Sequence, residues 1–153
     1  MPLMRIALYQ PDIPQNAGTI LRLAACMGVP VDIIGPAGFD LSAKALTRAG
    51  MDYLAQARLM QHTSWAAYLA ESTPGRIVLL TTRAGIPHHA FRFLPSDILL
   101  LGRESAGVPA EVHDRADVRL RIPMAPGMRS LNVAVATAIV LGEALRQTNG
   151  WPE

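Results

Sequence analysis

A chain of 153 residues is long enough for one domain with a single core, burying about 70% of the surface its unfolded form exposes. Its formal net charge of +2 is too small to assign a nucleic-acid or membrane partner by itself, although thirteen of the fourteen basic residues are arginine, with Lys44 the exception. Cys26 is the only cysteine, which excludes a disulfide framework or a cysteine zinc site within one chain.

In chain order, "RIALY" at 5–9 reads as a strand. The "MPLM" before it lacks the charged head and apolar middle of a secretion signal, so a cytoplasmic address is expected. A helix follows from about Pro14 to Met27, ended by Gly28 and barred from continuing by Pro30, with Ile20, Leu23, Ala24 and Met27 on one apolar stripe. Residues 31–34, "VDII", form a second strand, and a second helix is expected over 42–49, stopped by Gly50. "SWAAYLAES" at 64–72 has helical spacing, and strands are expected at 76–82, 97–102 and 118–123. The last and longest helix is predicted to start near Ser130, as N-cap, and to run to about Gln147. Its apolar run, 133–142, is about half the ~20 residues a membrane span needs, so it reads as buried and not as a membrane segment.

Strands alternating with helices imply an α/β fold with a mainly parallel sheet and helices on both faces, and near-continuous apolar strands such as "ILLL" agree. No repeat, low-complexity tract or linker divides the chain, so residues 1–153 are read as a single domain. The apolar-rich composition places some of that surface at a subunit interface.

Neither a dinucleotide-binding G-x-G-x-x-G after a strand nor a P-loop occurs, and the nucleophile elbow G-x-S-x-G is missing. His88-His89 lacks the context of a zinc helix and reads as a polar loop, so no metal is expected. Three other segments carry polar groups or glycines where a βα architecture forms a site. "PQNAGTILR" puts Asn16, Gly18 and Arg22 at a strand-to-helix junction, where free N–H groups can hold a phosphate or an oxyanion. The same residues would also serve as a helix cap and a surface arginine. "LGRESAGVP" presents Glu104 between Gly102 and Gly107 after a buried strand, at the sheet edge where ligands bind in open α/β folds. "RIPMAPGMRSLN" leads through a Pro and Gly loop into the last helix; Met124 and Met128 read more readily as core than as a ligand wall.

Together these segments resemble the three ordered motifs of the SPOUT (SpoU-type) RNA ribose 2′-O-methyltransferases: Pro14, Asn16, Gly18 and Arg22; then Gly102, Glu104 and Gly107; then Ile122, Pro123, Met124, Ser130, Leu131 and Asn132. The spacing is similar to that of small stand-alone members that methylate the wobble nucleotide, position 34, of tRNA, as are "GFD", "RAGMDY" and "LLTTR". Ala134 departs from the serine that many relatives carry after S-L-N-V.

The resemblance implies a deep C-terminal trefoil knot, S-adenosyl-L-methionine as cofactor, tRNA as substrate, and a homodimer whose active site joins the cofactor pocket of one copy to the first motif of the other. It implies catalytic roles for Asn16, Arg22, Glu104, Ser130 and Asn132, and a cofactor pocket lined by Leu80, Gly102, Ile122, Ser130 and Leu131. RNA contacts are expected at Arg22, Lys44, Arg48 and Arg129 by subgroup resemblance and charge. Arginine stays protonated in proteins, so Arg22 is expected to stabilise developing alkoxide charge while a phosphate oxygen, Glu104 or water takes the proton. A ribosomal RNA target, a knotted cofactor- or RNA-binding module without turnover, and a flavodoxin-like ligand-binding domain are the competing expectations.

Overall fold

Apolar strands and amphipathic helices alternate as expected in a computed structural model that describes residues 3–40, 42, 58–71 and 74–153. The strands among those residues are β1 (Arg5–Tyr9), β2 (Val31–Ile34), β3 (Leu59–His62), β4 (Ile77–Leu80), β5 (Ile86–Pro87), β6 (Ile98–Leu101) and β7 (Val118–Arg121). The helices are α1 (Pro14–Met27), α2 (Trp65–Glu71), α3 (Ala110–Arg115) and α4 (Val133–Thr148), with a single 3₁₀ turn at His88–Ala90. The helix expected over 42–49 falls on residues that, apart from Ser42, lie outside the described ones.

The strands form one sheet in the order β3-β2-β1-β6-β4-β7-β5, with every neighbouring pair parallel. Alternation along each strand divides the core in two. Ile6 and Leu8 of β1, Leu99 and Leu101 of β6, and Val78 of β4 face α1 and α4. Ala7 and Tyr9, Ile98 and Leu100, and Ile77 and Leu79 face α2 and α3. Because both faces are covered, β6 is apolar at every position, and each of its leucines stabilises the fold by about 1.5–3 kcal/mol relative to exposure.

Buried charges in this sheet are paired, as low-dielectric surroundings require. Asp32 on β2 accepts from Arg5 Nε at 2.7 Å and lies 2.9 Å from His62 Nε2 on β3, tying three strands together. Tyr68 of α2 packs edge-on against His62, and burial, followed by the Asp32 charge, pushes its phenol up to about 12. Asp97, fully buried ahead of β6, accepts both guanidinium arms of Arg76 at 2.8 Å.

Helix α1 runs from Pro14 to Met27 as expected, and Gly28 closes it in the left-handed conformation, φ 68°. The start of the last helix needs correction. Its N-cap is Asn132, whose side-chain oxygen accepts from Ala134 N at 2.8 Å and Val135 N at 3.3 Å, whereas Ser130 stays in the preceding exposed loop. Serine and asparagine cap about equally well, so the choice fell to the tertiary position of the loop. The strands β3 and β5 and the short α3 went unread. Both strands lie at sheet edges, where half-exposed residues blur the hydrophobic signal, and β5 is two residues long and contains Pro87.

The last two strands enter the sheet out of sequence order. β7 is laid between β4 and β5, although β5 directly follows β4 in the chain. Beyond β7, α4 returns to pack beside α1. Gln147 near its end bonds the backbone at Phe91 and Phe93, both at 2.9 Å, so the segment between β5 and β6 is fastened to α4.

Candidate active site

Strand order sets where a ligand can sit. From β1 the chain builds β2 and β3 on one side, while β6, β4, β7 and β5 extend the sheet on the other. The crevice at such a reversal, outside the carboxyl ends of the strands, is where open α/β sheets bind ligands. A cavity of about 1030 Å³ lies there, walled by the segments that follow β4, β6 and β7 and by the start of α1.

After β6 the chain makes a tight hairpin. Arg103 and Gly107 exchange backbone hydrogen bonds at 3.0 and 2.8 Å, and Glu104, Ser105 and Ala106 form its tip. Gly107 takes a left-handed φ of 61°, which suits the residue closing a three-residue hairpin loop. The returning backbone then lies directly over Gly102, where an added Cβ would stand 2.7 Å from the Gly107 carbonyl carbon. Two glycines therefore let main chain, not side chain, form this wall.

The tip of the hairpin meets the loop between β1 and α1. Glu104 Oε2 accepts from the Asp12 N–H at 3.2 Å, and the Ser105 hydroxyl donates to Asp12 Oδ2. Burial raises the proton affinity of Glu104, and its hydrogen bond with Asp12 adds to that shift. The same bond, followed by the one from Ser105, lowers the Asp12 pKa. The two carboxyls are thereby shifted in opposite directions, Glu104 toward holding a proton and Asp12 toward losing one.

From the far side, the long loop after β7 brings Ser130, Leu131 and Asn132 to the cavity. Asn132 Nδ2 donates to Asn16 Oδ1 at 2.9 Å, joining the cap of α4 to the first turn of α1, 116 residues away in the chain. Asn16 is not the cap of α1. Ile13 occupies that position without a side-chain bond, so the Asn16 amide in the first turn remains available to Asn132.

Of the expected residues, Asn16, Leu80, Gly102, Glu104, Ile122, Ser130, Leu131 and Asn132 all line the cavity. Arg22 stands exposed on α1, outside that lining, and Arg129 is exposed in the loop before Ser130. Lys44 and Arg48 lie outside the described residues. Met124 lines the cavity and Met128 is 67% exposed, which corrects the reading of both as core. Sequence reasoning missed Asp12 and Ser105; an acidic residue just before Ile13-Pro14 was the visible signal for the first.

The arrangement suits a ligand with a flat apolar part and several hydrogen-bonding groups, such as a nucleoside. Leu80, Leu101, Leu120, Ile122 and Leu131 supply apolar wall, the Gly102–Gly107 backbone permits close approach, and Thr81, Ser130 and the two asparagines supply hydrogen bonds. No group of three or more His, Cys, Asp or Glu side chains that could hold a metal ion occurs among the described residues. Among them, too, no helix is long and apolar enough to cross a membrane.

Residues 3–142 match the SpoU rRNA Methylase family. The chain is 61% identical over 144 residues to a tRNA (cytidine(34)-2′-O)-methyltransferase of Beijerinckia indica, covering 93% of this chain and 90% of the relative. A solved structure concerned with 2-OH methylation of C/U34 on tRNA superposes with a TM-score of 0.87 and 42% identity, over 96% of this chain and 91% of the other. The SpoU methyltransferase AviRb from Streptomyces viridochromogenes, solved with the cofactor AdoMet, gives a TM-score of 0.80 at 28% identity, covering 95% of this chain and 60% of that one.

Proposed function

The chain belongs to the SpoU rRNA methylase family, and from that premise we propose that it transfers a methyl group from S-adenosyl-L-methionine to the ribose 2′-oxygen of nucleotide 34 of a tRNA. The observation that carries this reading is the convergence of Asn16, Glu104 and Asn132, from three distant segments, on one cavity at the carboxyl edge of the sheet.

The cofactor supplies a methyl group on a positively charged sulfur, already a strong electrophile. What remains for the protein is to place the hydroxyl in line and to stabilise the charge that grows on its oxygen. Gly102, Leu80, Ile122 and Leu131 would hold the cofactor by backbone approach and apolar contact, and Ser130 and Asn132 would fix the third motif against cofactor and acceptor. Arg22 faces the nascent alkoxide as a fixed cation and not as a base, since a guanidinium keeps its proton.

Arg22 reaches this task from a second copy of the chain. Its exposure outside its own cavity supports a shared site, as do Val135 and Ile139, apolar residues one turn apart on α4 that are 48% and 40% exposed. Homodimerisation through the start of α4 covers that pair. Arg129, beside the cavity, then meets tRNA phosphate, with Lys44 and Arg48 as further contacts. A tRNA substrate supports a cytoplasmic address. The insertion of β7 between β4 and β5, with α4 fastened to the 91–93 segment, supports a threaded C-terminal knot. One sheet drawing on both ends of the chain supports a single SPOUT domain over 1–153.

Incubation of the purified protein with labelled S-adenosylmethionine and total tRNA from a strain lacking the gene tests the assignment. Label at the 2′-oxygen of nucleotide 34 is the expected result; label in ribosomal RNA alone would overturn it.

A further inference from the structure

We infer that Asp12 is a positioning residue for this reaction: it clamps the 103–107 hairpin to the loop that launches α1, so that the cofactor wall and Asn16 are held as one body. The inference deepens the methyltransferase reading and rests on it.

The clamp has contacts on both sides. From the hairpin, Ser105 donates to Asp12 Oδ2, and Glu104 Oε2 takes the Asp12 N–H at 3.2 Å. Asp12 Oδ1 is buried without a hydrogen-bond partner, and the Glu104 carboxyl beside it lowers the Asp12 pKa. From behind, the loop after β2 presses on the same residue. Gly38 N donates to Pro11 O at 2.9 Å, and an added Cβ on Gly38 would stand 2.9 Å from Asp12 Cβ. Asp12 thus lies between two loops, with the hairpin tip on one side and Gly38 close against its Cβ on the other.

Its position gives these contacts consequence. Pro14 opens α1 two residues later and Asn16 follows in the first turn, already bonded to Asn132. On the other side the hairpin contributes Gly102, Arg103, Glu104 and Gly107 to the cavity wall. Hydrogen bonds therefore join the hairpin tip to Asp12, the backbone carries that anchor two residues on into α1, and a further hydrogen bond joins Asn16 to the cap of α4. β1 and β6 are adjacent in the sheet, their ladder ends at Leu8 and Leu101, and beyond it Asp12 joins the stacking of Arg103 over the Tyr9 ring, 5.5 Å to its centroid, in coupling the following segments.

Asp12→Ala removes the charged acceptor of the Ser105 hydrogen bond and is expected to weaken S-adenosylhomocysteine binding by calorimetry about tenfold or more. Asp12→Asn keeps one acceptor for Ser105 and offers an N–H to Glu104; it is expected to restore that affinity to within about threefold of the wild type. Ser105→Ala combined with Asp12→Ala should cost little more than Asp12→Ala alone, because the two act as one unit. In tRNA methylation assays, Asp12→Ala should also lower kcat, through Asn16, as well as raise the cofactor KM. Additive losses, or S-adenosylhomocysteine affinity unchanged in both Asp12→Ala and Ser105→Ala, would overturn the inference. If Asp12→Ala does not fold, the Ser105→Ala titration alone decides. Failure of the wild-type protein to methylate tRNA would sink the functional reading while the calorimetric comparison still tests the clamp.

Discussion

Asn132 uses both ends of its amide. Its oxygen takes two N–H groups of α4, so its nitrogen must face outward, and there it meets Asn16. The residue types were visible in the two motifs, but their meeting was not, because a hydrogen bond spanning 116 residues leaves no local periodicity. Arg22 differs in kind. It makes no part of its own cavity wall, and its proposed role is to supply a planar cation to another copy. A lysine offers the same charge without the fork that fixes its direction. Arg22→Lys is therefore expected to lower kcat about a hundredfold while leaving S-adenosylhomocysteine affinity within about twofold, measured by single-turnover methylation and calorimetry. A matching loss of cofactor binding would show that Arg22 supports the pocket instead.

Between residues and the whole lies the Arg103–Gly107 hairpin. Its two glycines were legible as a turn signal, and their place after an apolar strand put them at the ligand edge of the sheet. That Gly107 lies against Gly102 was decided by the fold. Gly102→Ala forces a methyl group to 2.7 Å from backbone that cannot yield without moving the cavity wall. The expected result is a cost of about 1–3 kcal/mol in denaturant unfolding together with loss of most cofactor affinity. Elements at the sheet edge were less legible than those at its centre. β1 and β2 match the sequence reading to the residue, since both are buried along nearly their whole length and are apolar apart from the paired Arg5 and Asp32, whereas β3 exposes Met60 and Gln61.

For the whole molecule, the proposed arrangement has each active site drawing on two chains. A mixture of Arg22→Ala and Gly102→Ala proteins, each nearly inactive alone, then forms heterodimers with one intact site. Random pairing is expected to restore about a quarter of wild-type methylation per dimer. A mixture no more active than its components would place Arg22 at its own cavity or outside the reaction. Dimerisation should also be lost when Val135 and Ile139 are both replaced by charged residues, read as sedimentation of a single chain.

Local information was enough for the alternation of strands and helices, the limits of α1 and the order of the three motifs, because each depends on residues a few positions apart. The cap at Asn132, the contacts at Asp12 and the insertion of β7 beside β4 depend on loops meeting across the sheet. Contacts of that range are set by how strands are ordered, and a strand's own residues carry its burial but not the identity of its neighbours. The chemistry could therefore be named from sequence, whereas the cavity that brings Asn16, Glu104 and Asn132 within reach of one ligand exists only in the folded chain.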